Sequence, residues 1–158
     1  MLTTVAYSQH SYWSSVSDNV KKGITLKQYN EKHYSVYQLN FENFKQHIST
    51  TQLKGKSGKK SNMIISFPDE QGNFIEYRIY ETPVLSNELS KLHPDIKTYS
   101  GFSNDNKGTR IRLSVTPLGM NAMISAVNKP SSFINPMQRR ADGNYIVYTT
   151  DAKIKKSK

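Results

Sequence analysis

The chain has 158 residues, a formal net charge of +10, 35% hydrophobic residues, 10 tyrosines and no cysteine. A chain of this length suits one domain that buries about two thirds of its unfolded surface without a disulfide. The lack of Cys excludes a disulfide framework, a thiol nucleophile and a Cys-based zinc site, and no apolar run approaches the roughly 20 residues of a membrane span.

Much of the positive charge sits in two stretches without periodicity. Lys54, Lys56, Lys59 and Lys60 lie in the Gly- and Ser-containing segment 51–61, and Lys153, Lys155, Lys156 and Lys158 lie in the tail 151–158. This distribution reads as basic linkers. It does not favour nucleic acid as partner, because that chemistry concentrates cations on a folded face beside aromatic rings.

Residues 1–32 read as an N-terminal extension. Ala6-Tyr7-Ser8 has the small-x-small form of a cleavage site, so 1–8 is compatible with the end of a secretory signal peptide. The polar segment 10–32 carries scattered anchors, with Trp13 read as a packing anchor. Residues 33–150 are expected to form a single β-rich domain, and 151–158 a basic flexible tail.

Within that domain, HYSVYQL at 33–39 predicts a strand. Asn40 follows as the N-cap of a short helix bearing Phe41, Phe44 and Ile48 at helical spacing. The segment TTQLKGKSGKKS, 50–61, predicts a mobile loop. Asn62 to Phe67 and Phe74 to Tyr80 flank Pro68-Asp69-Glu70-Gln71-Gly72-Asn73 and predict a hairpin with a longer turn. Leu85, Leu89 and Leu92 mark one face of a two-turn helix with Ser86 as N-cap, which Pro94 ends at His93.

The clearest pattern lies in residues 93–124. Ile96 to Tyr99 is expected extended and Gly101 to Gly108 a loop. Arg110 to Thr116 then alternates, with Ile111, Leu113 and Val115 on one face and Arg110, Arg112, Ser114 and Thr116 on the other. Pro117-Leu118-Gly119 turns the chain into a second strand with Met120, Ala122, Ile124 and Ala126 on one face. Ser131 to Met137 follows as a short extended piece broken by Pro136, then a charged turn with Asp142-Gly143, then the strand Tyr145 to Thr149. The fold class is α+β, a predominantly antiparallel sheet of about six to seven strands with two short helices.

Catalytic patterns are absent from the sequence: there is no H-E-x-x-H, P-loop, G-x-G-x-x-G or G-x-S-x-G. Asp69-Glu70 reads as a hairpin tip, His93 as a helix-end residue, and Arg110 and Arg112 as the polar face of a strand. No cofactor and no metal ligand is assigned.

Several runs resemble one known family. They are Trp13-x-x-Val16-Ser17, Tyr34-x-x-Tyr37-x-Leu39-Asn40, Ile64-Ile65-Ser66-Phe67-Pro68 with Gly72, His93-Pro94-Asp95-Ile96-Lys97-Thr98-Tyr99-Ser100-Gly101, Arg112-Leu113-Ser114-Val115-Thr116-Pro117-Leu118-Gly119, and Tyr145-Ile146-Val147-Tyr148. They resemble the N-terminal prodomain of secreted Bacteroidetes/flavobacterial reprolysin-like (adamalysin-type) zinc metalloproteases. The resemblance implies a non-enzymatic, secreted or periplasmic domain. Such a domain binds a cognate zinc metalloprotease catalytic domain, helps it fold and keeps it latent until cut away. It implies Pro94, Gly101, Arg112, Pro117 and Gly119 as architectural residues. With no Cys available, it leaves inhibition to surface complementarity or to a non-thiol group such as Asp142. Exposed basic segments are where processing would fall: Lys153, Lys155 and Lys156 in the tail, and Arg139 and Arg140 on the charged turn. Trypsin is expected to cut first in 54–60 and 151–158. The alternative is a free-standing secreted module that recognises a protein, glycan or cell-surface partner. Electrostatic nucleic-acid binding is a third reading.

Overall fold

The structure is a computed structural model describing residues 12–16, 34–55, 58, 60–105, 107–138 and 143–150. Its elements, in chain order, are β1 (Trp13–Ser15), β2 (Tyr34–Leu39), α1 (Phe41–Ile48), β3 (Ile64–Pro68), β4 (Phe74–Glu81), α2 (Asn87–Leu92), β5 (Lys97–Ser103), β6 (Arg110–Thr116), β7 (Gly119–Ser125), β8 (Ser132–Pro136) and β9 (Asn144–Thr149). The strands form one antiparallel sheet in the order β1-β2-β9-β8-β7-β6-β5-β4-β3. Among the described residues the α+β class with two short helices therefore holds, but the sheet has nine strands rather than six to seven.

Two of the sequence expectations are corrected by the structure, the first of which adds a strand. Trp13 does anchor the N-terminal segment, as its 6% exposure shows, but it does so as part of a strand paired with Leu39 of β2. The predicted loop from Gly101 to Gly108 is also too long, because β5 continues through Ser103 before turning. Tyr99, Gly101 and Ser103 face the core while Ser100 and Phe102 do not. The Ser and Gly composition concealed a period of two that the tertiary fold makes plain.

The sheet curls until its ends meet. No ladder joins β1 to β3 among the described residues. Instead the Trp13 indole donates to the Ser66 carbonyl at 3.1 Å and its ring packs against Phe67, 6.4 Å between centroids. Farther along this seam, Ser35 Oγ donates to the Asp69 carbonyl at 3.0 Å and Tyr37 meets Phe74 edge to face. The result is a near-barrel whose interior holds Phe67, Tyr77, Ile79, Ile111, Leu113, Val115, Met120 and Tyr145. Helix α1 contributes Phe44 and Ile48, both fully buried. Burial of such side chains stabilises by about 1.5–3 kcal/mol each. Its Asn40 cap accepts from the Asn43 N–H, as the sequence suggested.

The short helix α2 begins at the expected cap, Ser86 Oγ accepting from Leu89 N–H, and stops at Leu92. It buries nothing: Leu89 and Leu92 remain 46% and 72% exposed. Local capping chemistry, rather than core packing, defines this element.

Turn chemistry sets the register of the hairpins. Thr116 pairs with Gly119 across the two residues Pro117 and Leu118, and Gly119 has φ +128°, a region that favours glycine. At the β3–β4 turn, Asp69 Oδ1 accepts from the N–H groups of Gln71 at 2.9 Å and Asn73 at 2.8 Å. The adjacent Glu70 accepts from Ser132 Oγ. The two carboxylates thus organise a loop and bridge it to β8. Both also line one small concavity at this end of the barrel.

The segment after α1 departs from the expected mobile linker. Leu53 bridges Glu81 of β4, and the Lys54 N–H donates to the Glu81 carbonyl at 3.1 Å. Its first residues are held on the end of the sheet because the β4 backbone offers unpaired partners there.

Candidate functional site

The antiparallel meander places alternate side chains of β5 to β8 on the outside of the barrel. Cross-strand pairing sets Ser100, Arg112, Met123 and Phe133 in one row, since Ser100 pairs with Arg112, Arg112 with Met123, and Met123 with Phe133. A neighbouring row holds Phe102 opposite Arg110. A third brings Thr98, Ser114 and Asn121 together. These positions form the floor of an open groove of about 640 Å³.

One wall of the groove is Thr82, Pro83 and Val84, from the connection between β4 and α2. That wall is tied to β5 by two hydrogen bonds: the Thr82 N–H donates to the Thr98 carbonyl at 2.9 Å, and Thr98 Oγ1 donates to the Thr82 carbonyl at 2.7 Å. At the other side, Phe133 stacks on Tyr148 with 5.5 Å between centroids, and Asn135 Nδ2 donates to the Tyr148 hydroxyl. Phe133 and Tyr148 belong to a small outer cluster with Ile146, Tyr34 and Met137. The groove therefore has a firm wall, an aromatic far side and exposed apolar atoms between, including Phe102 and Met123.

Among the described residues, the cations of the groove are Lys54, Arg110 and Arg112, and its lining contains no Asp or Glu. Phe102 gathers two of them, with Arg110 Cζ 5.2 Å and Lys54 Nζ 5.8 Å from its ring centroid. The attraction of a cation for the ring quadrupole is worth about 0.5–1 kcal/mol at an exposed site. The ion pair between Lys97 and Glu81, at 3.3 Å, lies away from this lining.

A second, smaller concavity of about 170 Å³ lies at the end of the barrel where the β3–β4, β5–β6 and β7–β8 connections gather. Tyr77 reaches it from the core, and its buried hydroxyl has no hydrogen-bond partner among the described residues. Burial pushes the Tyr77 phenol well above its ordinary range, and the carboxylates of Asp105, Asp69 and Glu70 add to this. The group is therefore a neutral donor at physiological pH. Among the described residues, no cluster of three His, Asp or Glu could hold a metal ion.

The residues singled out from the sequence fall in different places. Pro94 follows the α2 cap residue His93, Gly101 lies in mid-strand in β5, and Pro117 and Gly119 shape the β6–β7 turn. Arg112, which the resemblance implies as architectural, stands exposed on the groove floor. Arg139, Arg140, Asp142, Lys153, Lys155 and Lys156 lie outside the described residues, as do 1–8. Of the segment 54–60, Lys54 joins the groove, while Lys56, Ser57 and Lys59 lie outside the described residues. Sequence reasoning missed Phe102 and Lys54 because both sit in Gly- and Ser-rich surroundings. The alternation Tyr99, Gly101, Ser103 was the available signal for Phe102.

Among the described residues, no helix is long and apolar enough to cross a membrane. No protein-family model matches the chain, and comparison with curated proteins and with solved structures likewise gives no match, so none of these links it to a metalloprotease prodomain.

Proposed function

We propose that this chain is a non-catalytic binding domain that receives a segment of a partner protein in the groove on the outer face of its sheet. The observation that carries this reading is the convergence of exposed apolar side chains on one concavity. Phe102 at 43%, Met123 at 37% and Val84 at 77% exposure all line it, on the side of the sheet opposite the core. Large apolar groups left in water within a walled groove are a feature of recognition surfaces.

Selection of peptides from a random display library tests the reading, with Asn121→Trp as the blocked variant. Asn121 is exposed on the groove floor, so the indole fills the groove without entering the core. Peptides that bind the natural chain and lose at least about tenfold in affinity on the variant support the proposal. Failure of every enriched peptide to discriminate the two proteins overturns it, provided both unfold at the same temperature.

The sequence resemblance supplies one specific partner, a secreted zinc metalloprotease catalytic domain. Added in trans at micromolar concentration, the chain would inhibit such an enzyme or assist its refolding, and Asn121→Trp would not. Absence of both effects removes that partner and leaves the groove reading to the peptide selection.

A further inference from the structure

We propose that the groove recognises an acidic, extended peptide segment in which carboxylates alternate with apolar side chains, the carboxylates being received by Arg110 and Arg112. This rests on the groove reading above and names the chemistry of its occupant.

Charge complementarity is the first support. Lys54, Arg110 and Arg112 line the groove, and among the described residues no Asp or Glu lines it with them. The chain as a whole carries +10, so its field steers an anionic partner toward the surface. Arginine presents a planar fork of donors that matches a carboxylate in a bidentate pair.

Spacing is the second. Arg110 and Arg112 are alternate residues of one strand and point to the same face. Alternate side chains of any extended chain repeat at roughly 6.8 Å. A segment laid along β6 with acidic residues at every second position therefore presents carboxylates at the repeat of the two arginine positions. Its intervening side chains lie on the opposite side of the segment, and the apolar groups of Pro83, Val84 and Met123 flank it in the groove.

The engagement of the rings favours a peptide over a nucleic acid. A single-stranded nucleic acid binds through free aromatic faces on which bases stack. Here Phe102 is engaged by Lys54 and Arg110, and Phe133 is stacked on Tyr148. The aromatic groups organise the cations and the groove side, which suits carboxylates better than bases.

The test uses three fluorescein-labelled probes: the peptide Glu-Val-Glu-Val-Glu, the same peptide with Lys for Glu, and an oligothymidylate of similar length. Each is titrated by anisotropy against the full chain, against Arg110→Glu/Arg112→Glu, and against the milder Arg110→Gln/Arg112→Gln. The expected result is that the Glu peptide binds the natural chain, weakens as salt rises, and loses at least about tenfold in affinity on either double variant. The charge-reversed protein should then prefer the Lys peptide. Equal or tighter binding of the Lys peptide or the oligothymidylate by the natural chain overturns the acidic-peptide assignment. So does undiminished Glu-peptide binding by the Gln variant, which answers the question if the reversed protein does not fold. If display-selected peptides discriminate the groove-blocked variant yet carry no acidic bias, the inference fails while the groove reading stands. If none discriminates, both fail.

Discussion

The indole N–H of Trp13 donates to the carbonyl of Ser66 across 3.1 Å, joining the first strand of the sheet to the last in its order. No backbone ladder does this among the described residues. The same ring meets Tyr37, Phe67 and Tyr145 edge to face. A side chain from a three-residue strand thus joins the two margins of a nine-stranded sheet, with the Ser35 and Tyr37 contacts beside it.

Because Trp13 combines packing and a buried hydrogen bond, two substitutions separate its contributions. Trp13→Phe should keep most of the ring contact and leave the Ser66 carbonyl unpaired, costing about 1–3 kcal/mol. Trp13→Ala should cost about 3–5 kcal/mol by opening a cavity at the seam. Urea unfolding followed by far-UV circular dichroism measures both. Equal loss for the two variants would show that the hydrogen bond, not the packing, dominates.

Gly101 pairs with Ile79 where β5 runs close beside β4. A Cβ there would stand 2.6 Å from the Arg78 carbonyl oxygen and 2.8 Å from Ile79 Cδ1. The isoleucine tip can turn aside, but the backbone oxygen cannot do so without moving the strand. Gly101→Ala is therefore expected to destabilise by about 1–3 kcal/mol, the usual range for overpacking. Chemical denaturation would reveal it, and an unchanged midpoint would mean that β4 and β5 separate more easily than their register indicates.

The buried tyrosines predict the alkaline limit of the fold. Burial, with a contribution from the Glu81 carboxylate, pushes the Tyr99 phenol from 10.0 up to about 12, and burial raises that of Tyr77 as well. Both groups bind their proton more tightly in the folded state than in the unfolded chain. Their stabilising effect is full below the unfolded pKa near 10 and is lost as pH rises from there through the folded values. Stability should be flat from pH 7 to 9 and then fall, each such group contributing a slope of about 1.4 kcal/mol per pH unit within its window. Tyr77→Phe should flatten the fall. It should also be neutral or stabilising near pH 7, because the hydroxyl removed has no partner among the described residues. Thermal melts between pH 7 and 12 test both, and a clear loss of stability for Tyr77→Phe at pH 7 would show that the cavity at the barrel end supplies a partner to that hydroxyl.

Much of the sheet was legible from residue order. Arg110 to Thr116 alternates so strictly that its inward face of Ile111, Leu113 and Val115 follows from a period of two, and both helix caps follow from one polar residue ahead of an apolar run. These are local effects, decided within a few residues of chain. Phe102 and Lys54 were not legible, because their roles depend on partners distant in sequence: Phe102 owes its place to pairing with Arg110, and Lys54 is brought beside it by the contact between Leu53 and Glu81.

The sequence by itself therefore determined the β-rich class, the hairpin turns, the caps and the absence of thiol chemistry, since each depends on residue type or short spacing. Only the tertiary structure decided that the sheet curls into a near-barrel joined through Trp13, and that three cations share one walled groove on its outer face. Curling depends on how the sheet margins pack, and the groove on which strands become neighbours. Neither quantity is written in any one segment of the chain.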